Sequence, residues 1–137
     1  MRAHPSDTGW DFWGLWANSE WEPETEEIIR TYLYRDDIFI DIGAWIGPVT
    51  LWALQQGARV TAYEPDPEAF ELLCHNAPGA TNIRAAITTH AGTVRLASRN
   101  WYGDSQSYVS SDGIEVPAVR VGTIPDLAAA SLIKVDV

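Results

Sequence analysis

The chain has 137 residues, which is enough for one domain with a hydrophobic core and too few for two. Its 19 acidic residues outnumber its 9 lysines and arginines, and the charge of −10 disfavours nonspecific binding to nucleic acid or to an anionic membrane. We therefore expect a single domain over 1–137, with no nucleic-acid partner and no membrane partner.

The compartment is indicated by apolar runs and by cysteine usage. No apolar run reaches the roughly 18 residues of a membrane span, and the N-terminus lacks the apolar core of a signal peptide. A single cysteine, Cys74, excludes an internal disulfide and is typical of a reducing cytoplasm. Because Cys74 lies beside Leu72 and Leu73 in a helical pattern, we expect a small buried side chain and not a reactive thiol.

The N-terminal segment is predicted to begin with a loose tail at 1–9 and continues with four tryptophans. Trp10, Trp13, Trp16 and Trp21 could line a substrate pocket, or they could form a hydrophobic flap over the sheet. The flap is favoured, because aromatic side chains mostly supply buried area.

A first helix is predicted from Glu22 to about Tyr34. Pro23 suits the first helical turn, and the acidic residues around it complement the positive end of the helix dipole. Apolar residues recur on one face at helical spacing, namely Ile28, Ile29, Tyr32 and Leu33.

The most informative stretch of the chain follows this helix. Ile38–Ile42 is β-branched and aromatic, is flanked by charge and glycine, and is predicted to be a buried strand. A turn with Gly43 and Gly47 comes next, and Pro48 suits the first position of a second helix. Strand, glycine turn and helix form the nucleotide-binding unit of open α/β sheets, where glycine lets ligand and backbone approach closely.

The residues in and around this turn distinguish among nucleotides. A dinucleotide-binding turn has glycine at its middle position, but here Trp45 would block a pyrophosphate. Asp41 would repel a pyrophosphate and would suit a ligand with an ammonium group. S-adenosylmethionine has such a group, a sulfonium, a ribose and an adenine, and it has no phosphate. Glu64, at the end of the next predicted strand, can accept hydrogen bonds from both ribose hydroxyls.

The chain then continues the alternation of strands and helices. A second strand is predicted at about 59–63, and a third helix starts after Asp66 as its N-cap. A third strand is predicted at about 82–87. Two short β–α–β crossovers imply parallel strands joined in the right-handed sense.

The pattern changes in the last third of the chain. Short strand-like runs between 92 and 121, with a weak strand at Ser107–Val109, predict antiparallel hairpins over one end of the sheet. Pro117 argues that its strand is bulged or at an edge. Residues 131–137 predict a fourth parallel strand.

Four motifs occur in order and at fitting separations. They are Trp21-Glu22-Pro23-Glu24-Thr25, Asp41-Ile42-Gly43-Ala44-x-Ile46-Gly47, Tyr63-Glu64-Pro65-Asp66 and Leu132-Ile133-Lys134-Val135-Asp136-Val137. Together they resemble the FkbM-type S-adenosylmethionine-dependent methyltransferases. The resemblance implies an α/β, Rossmann-like, open and mainly parallel sheet of order 3-2-1-4 with flanking helices. With its added antiparallel hairpin region, this sheet would be incomplete relative to a seven-strand methyltransferase sheet. Trp45 departs from the family pattern, in which a small polar residue is usual.

The resemblance also implies roles for single residues. The cofactor-binding residues that it implies are Asp41, Gly43, Ala44, Gly47, Glu64, Pro65, Asp66 and Ala86. Among them, Asp41 would hold the methionine end, Glu64 the ribose, and Asp66 would lie near the adenine. Asp136 would face cofactor and acceptor at the tip of the fourth strand, and Asp136 and His90 are the candidate general bases. A divalent metal held by the strand-end carboxylates is less favoured, because it would leave the glycine turn unexplained.

The predicted function is S-adenosylmethionine-dependent O-methylation of a small molecule or sugar. A non-catalytic cofactor-binding or interaction fragment is the first alternative, and an NAD-dependent oxidoreductase is a weaker one. The family pattern continues past Val137, so the chain resembles the first half of such an enzyme. Leu132–Val137 would then be an uncovered apolar edge, which we expect to recruit a second copy or a partner chain.

Overall fold

The computed structural model describes residues 11–98 and 107–136. The tail predicted at 1–9 and Trp10 lie outside this range. The helices in the described residues are α1 (Phe12–Ala17), α2 (Pro23–Tyr32), α3 (Pro48–Gln55) and α4 (Pro67–Asn76). The strands are β1 (Ile38–Ile42), β2 (Arg59–Tyr63), β3 (Thr81–Ile83), β4 (Ala86–Thr88), β5 (Gly92–Ser98), β6 (Ser107–Val109), β7 (Ile114–Arg120) and β8 (Leu132–Val135). Two 3₁₀ turns, Val121–Thr123 and Leu127–Ala129, lie between β7 and β8.

The first sheet is parallel and has the order β3-β2-β1-β8, which confirms the predicted α/β fold and strand order. α3 connects β1 to β2, and α4 connects β2 to β3. Right-handed crossovers that progress in one direction put both helices on one face of the sheet. The carboxyl ends of β1, β2 and β8 therefore meet at the same edge.

The parallel sheet is buried on both faces around β1. Phe39 of β1 packs with Leu33 and Trp52 on the helical face. Ile40 of β1 points to the opposite face and packs with Ile124, which lies between the two 3₁₀ turns. Burial on both faces explains why β1 is a continuous apolar run and does not alternate.

The third strand predicted at 82–87 is two strands, so this prediction is wrong. β3 pairs with β2 in the parallel sheet, whereas β4 pairs with β7 in a second sheet of order β4-β7-β5-β6. Only Arg84 and Ala85 separate the two strands. The chain changes sheets within one apolar run, and the local pattern alone contains no signal for this change.

The second sheet is mixed and is not a set of antiparallel hairpins alone. β5 pairs antiparallel with β6 and β7 as expected, and the strand at Ser107–Val109 is confirmed, but β4 and β7 are parallel. Pro117 lies in β7, an interior strand, so its predicted edge position is wrong. The proline is tolerated because β4 pairs with β7 only from Ala118 onward, which leaves Pro117 without a neighbour on that side.

Two predicted apolar faces differ from the structure. Ile29 and Leu33 are buried, but Ile28 and Tyr32 are exposed, because α2 turns Glu26 inward instead. Cys74 is exposed and is not the predicted small buried side chain, since α4 buries Leu73 and turns Cys74 and His75 toward solvent.

The aromatic segment at the N-terminus packs against the helical face. Phe12 and Trp16 are buried, and Trp16 stacks on Trp52 with 5.7 Å between ring centroids. The Trp16 Nε1 donates a hydrogen bond to the Pro48 carbonyl at 3.1 Å. This packing agrees with the predicted flap, although Trp21 also lines the cavity described below.

No helix within residues 11–98 and 107–136 is long and apolar enough to cross a membrane. A cytoplasmic location stays a prediction. β8 lies at an edge of the parallel sheet, where Ile133 and Val135 are exposed.

Candidate functional site

A cavity of about 330 Å³ opens between the two sheets, at the carboxyl ends of the parallel strands. Open α/β sheets bind their ligands at this edge, and the volume is in the range of small-molecule sites. Six predicted site residues line the cavity, namely Gly43, Ala44, Glu64, Pro65, Ala86 and Asp136.

The glycine turn is fixed between β2 and the tip of β8. The N–H groups of Gly43 and Ala44 both donate to the Tyr63 carbonyl, at 2.9 and 3.0 Å. Gly43 has a φ of +77°, and a Cβ at this position would overlap the carbonyl oxygen of Asp136. Only glycine combines this φ with such a close backbone approach. The turn therefore holds one wall of the cavity in a single conformation.

Glu64 lies at the end of β2, where it is 6% exposed. Its Oε2 accepts a hydrogen bond from the Trp45 N–H at 2.8 Å, and its Oε1 accepts one from the Asp66 N–H at 2.8 Å. Burial raises the pKa of Glu64 to about 7, although these two hydrogen bonds lower it. Each carboxylate oxygen has a further lone pair, so the group can also accept hydrogen bonds from a ligand in the cavity.

Asp41 lies beneath the turn and does not line the cavity. Its side chain is fully buried, its Oδ2 accepts a hydrogen bond from the Thr50 Oγ1 at 2.7 Å, and its Oδ1 is 3.5 Å from the Lys134 Nζ. Burial raises the pKa of Asp41, and the charge of Lys134 opposes this effect. The structure thus does not bring Asp41 to the wall, where the resemblance would have it hold the methionine end.

Three other predicted site residues also lie outside the lining. Gly47 is the N-cap of α3 and faces Leu73. Asp66 is the N-cap of α4, as predicted, and its Oδ2 accepts a hydrogen bond from the Ser107 Oγ at 3.2 Å. His90 is exposed in the bend after β4. Asp66 thus caps a helix, as aspartate often does at this position.

Several lining residues were not predicted from the sequence. Of these, Lys134 could have been noticed in the sequence, because it is a charged residue in an otherwise apolar strand. Its Nζ donates to the Gly43 carbonyl at 2.7 Å and lies 3.5 Å from the Asp136 Oδ2. Ile87 and Tyr108 come from the second sheet, and only the tertiary fold brings them to the cavity.

The charged side chains that line the cavity are mostly acidic. They are Glu22, Glu64 and Asp136, with Lys134 as the cation. Within the described ranges, no group of three or more His, Cys, Asp or Glu residues is arranged to hold a metal ion. The acidic wall favours a cationic ligand and opposes a diphosphate.

No family model matches the chain. The chain is 35% identical over 79 residues to a tRNA (guanine(37)-N(1))-methyltransferase of Danio rerio, a match that covers 58% of this chain and 16% of the relative. It is 34% identical over 91 residues to the ribosomal RNA small subunit methyltransferase A of Mycolicibacterium vanbaalenii, covering 66% of this chain and 26% of the relative. The chain thus spans about a quarter or less of the curated relatives that it matches.

Among solved structures, a TehB-like SAM-dependent methyltransferase from Corynebacterium glutamicum matches with a TM-score of 0.45 and 20% identity, over 51% of this chain and 38% of that one. Because this similarity is low, the fold is defined by the strand order of this chain itself. The sequence relatives confirm the predicted relationship to methyltransferases in general, and they do not show the FkbM subtype.

The relatives also overturn one prediction. The matched relatives are named as tRNA and ribosomal RNA methyltransferases. The prediction that nucleic acid is excluded as a partner is therefore wrong. The physical reason is that a net charge of −10 weakens nonspecific attraction to phosphates but does not prevent recognition at a local site.

Proposed function

We propose that this chain binds S-adenosylmethionine in the cavity and carries the cofactor-binding part of a methyltransferase. The observation that supports this most is Glu64, whose two oxygens are held by backbone N–H groups at the cavity edge of β2. A carboxylate held in this way is suited to a pair of vicinal hydroxyls. The methyltransferase relatives agree with this proposal.

The residues of the cavity suit the parts of this cofactor. Glu64 would bind the ribose, and the backbone of Gly43 and Ala44 would lie against the ligand, since no side chain at Gly43 keeps it away. Pro65 and Ala86 supply apolar surface, which is suited to an adenine ring. The excess of carboxylates in the wall would attract a ligand with an ammonium and a sulfonium.

When bound, the cofactor supplies an electrophilic methyl group, so the protein mainly has to position the acceptor and exclude water. Asp136 is the candidate group for the acceptor side. Its side chain is 73% exposed and lines the open part of the cavity, where its carboxylate can accept a proton from a hydroxyl acceptor. His90 does not line the cavity, so Asp136 is the stronger candidate base.

The acceptor has two candidate classes, each with its own support. The four FkbM-like motifs favour a hydroxyl of a small molecule or sugar. The names of the sequence relatives favour an RNA base. Transfer of a labelled methyl group to sugars and hydroxy metabolites, and in parallel to tRNA and ribosomal RNA transcripts, distinguishes the two classes.

Cofactor binding is tested by thermal-shift and calorimetric titration with S-adenosylmethionine, S-adenosylhomocysteine and NAD. We expect stabilisation by the first two compounds and none by NAD. Stabilisation by NAD alone would reject the proposal in favour of an oxidoreductase. Binding of S-adenosylmethionine without transfer to either acceptor class would instead favour a non-catalytic cofactor-binding module.

A further inference from the structure

The only lysine in the sequence, Lys134, lies inside the site. It belongs to β8, and its side chain is 19% exposed. Lysine is rarely withdrawn from water unless its charge is paired. The partners of this ammonium group therefore indicate what it does.

Three acceptors from three parts of the site surround the Lys134 ammonium. Its Nζ donates to the Gly43 carbonyl at 2.7 Å, and it lies 3.5 Å from the Asp41 Oδ1 and 3.5 Å from the Asp136 Oδ2. The three groups belong to the glycine turn, to the buried part of β1 and to the tip of β8. An ammonium has three donors, so one side chain can link all three parts.

The ion pair also stabilises Asp41. Its Oδ1 is buried and has no hydrogen-bond partner within 11–98 and 107–136. A buried carboxylate without a counter-charge is unfavourable, and removing one partner of a buried ion pair is strongly destabilising. Lys134 is the cation that lies beside it.

We propose that Lys134 is a positioning residue of the cofactor site, which holds the glycine turn and Asp136 at the cavity wall with Asp41 as its buried counter-ion. The proposal rests on the proposed function and deepens it. Asp41 then acts through Lys134 and does not contact the ligand, and its negative charge keeps the lysine from repelling a cationic cofactor.

Four variants test this role, namely Lys134→Met, Asp41→Asn, the double variant and Arg59→Met. Arg59 is a matched control, because it is exposed at the amino end of β2, opposite the site, and its replacement changes the net charge equally. The readouts are the dissociation constants of S-adenosylmethionine and of S-adenosylhomocysteine, which lacks the sulfonium charge.

We expect Lys134→Met to weaken both ligands about tenfold or more, because the turn and Asp136 lose a charge-assisted anchor. Asp41→Asn removes the buried counter-ion of the lysine and leaves only the exposed Asp136 beside it, so it should weaken S-adenosylmethionine more than S-adenosylhomocysteine. In the double variant, the ratio of the two constants should return to the wild-type value. Arg59→Met should bind both ligands as the wild type does.

Two results would overturn the inference. The first is Lys134→Met binding as well as the Arg59→Met control. The second is Asp41→Asn weakening both ligands equally with a further loss in the double variant, since both ligands have the ammonium group that Asp41 would then contact directly. If Lys134→Met does not fold, Asp41→Asn alone decides by the ratio of the two constants.

Amide hydrogen exchange separates this inference from the proposed function. Wild-type protein that binds neither compound rejects the proposed function. The anchoring by Lys134 is then judged from exchange at 43–47 in the absence of ligand. Faster exchange in Lys134→Met than in Arg59→Met supports it, and equal exchange overturns it.

Discussion

The two sheets that enclose the cavity differ in how firmly they are held. In the parallel sheet, Phe39 and Ile40 of β1 are fully buried, and the ends of the strands carry the polar groups of the site. The mixed sheet has a small core around Leu96 and Val116, and it contributes half-exposed apolar surface such as Tyr108. The more deeply buried parallel sheet thus carries most of the charged groups, whereas the second sheet supplies mainly apolar wall. Substitutions should therefore be costly on the first side and mild on the second.

The largest difference between the two sheets is expected for substitutions of two glycines with positive φ. A Cβ at Gly43 would overlap the Asp136 carbonyl, whereas a Cβ at Gly92 of β5 would meet nothing within 4 Å. Gly43→Ala should cost about 3 kcal/mol or more of unfolding free energy and abolish binding of S-adenosylhomocysteine. Gly92→Ala should cost about 1 kcal/mol from φ alone and retain binding. Urea unfolding and calorimetry measure both, and equal losses would contradict the contrast.

The pH dependence of the unfolding free energy tests the burial of Glu64 in the parallel sheet. Burial raises the pKa of Glu64 from 4.5 to about 7, so between these values the folded protein keeps a proton that the unfolded chain has released. Stability therefore falls as the pH rises through this window, by about 3 kcal/mol in total.

The isosteric variant Glu64→Gln lacks this titration and is the reference for it. Its lost hydrogen bond to a backbone N–H adds an offset that does not vary with pH. Urea unfolding from pH 4 to pH 8 should show the wild type losing stability relative to the variant as the pH rises. A difference that stays constant with pH would show that Glu64 is not held in a desolvated state.

Cofactor affinity should respond to the same residue by a smaller amount. At pH 8, above the pKa of about 7, Glu64→Gln replaces a charged acceptor of ribose hydroxyls with a neutral one, which should weaken S-adenosylmethionine by about 1–3 kcal/mol. Glu115→Gln is a matched control, because Glu115 is exposed on β7 of the mixed sheet. Calorimetric titration of the two variants with S-adenosylmethionine measures the dissociation constants. An unchanged dissociation constant in Glu64→Gln would show that Glu64 does not bind the cofactor.

The smallest effect is expected in the mixed sheet. Tyr108 lines the cavity but is 48% exposed, so Tyr108→Ala should weaken cofactor binding by less than about 1 kcal/mol. It should leave the midpoint of urea unfolding nearly unchanged. A loss as large as that of Glu64→Gln would mean that the apolar wall contributes as much to binding as the polar strand ends.

Local signals predicted the parallel half of the fold well. The glycine turn after Ile38–Ile42 and the N-cap at Asp66 could be predicted, because each depends on residues that are close in sequence. The strand order was implied by the resemblance of the four motifs, since the pairing of β1 with β8 joins residues that are distant in sequence. The sheet change between 83 and 86 and the interior position of Pro117 could not, because strand partners distant in sequence decide them.

The residues of the candidate site also differ in whether local sequence predicted their position. Glu64 and Gly43 were predicted from the strand and the turn that carry them, and both line the cavity. Asp41 was predicted to bind the cofactor, but its side chain points toward α3, where its oxygens lie beside Thr50 and Lys134.

The sequence by itself determined the parallel α/β topology and the acid and glycine at the strand ends, because hydrophobic period and turn chemistry are local properties. Only the tertiary structure decided which of these side chains share a cavity and which are buried as counter-ions. The physical reason is that a charge withdrawn from water is stabilised by whichever opposite charge the fold brings beside it, and for Asp41 that residue is Lys134, which is distant in sequence.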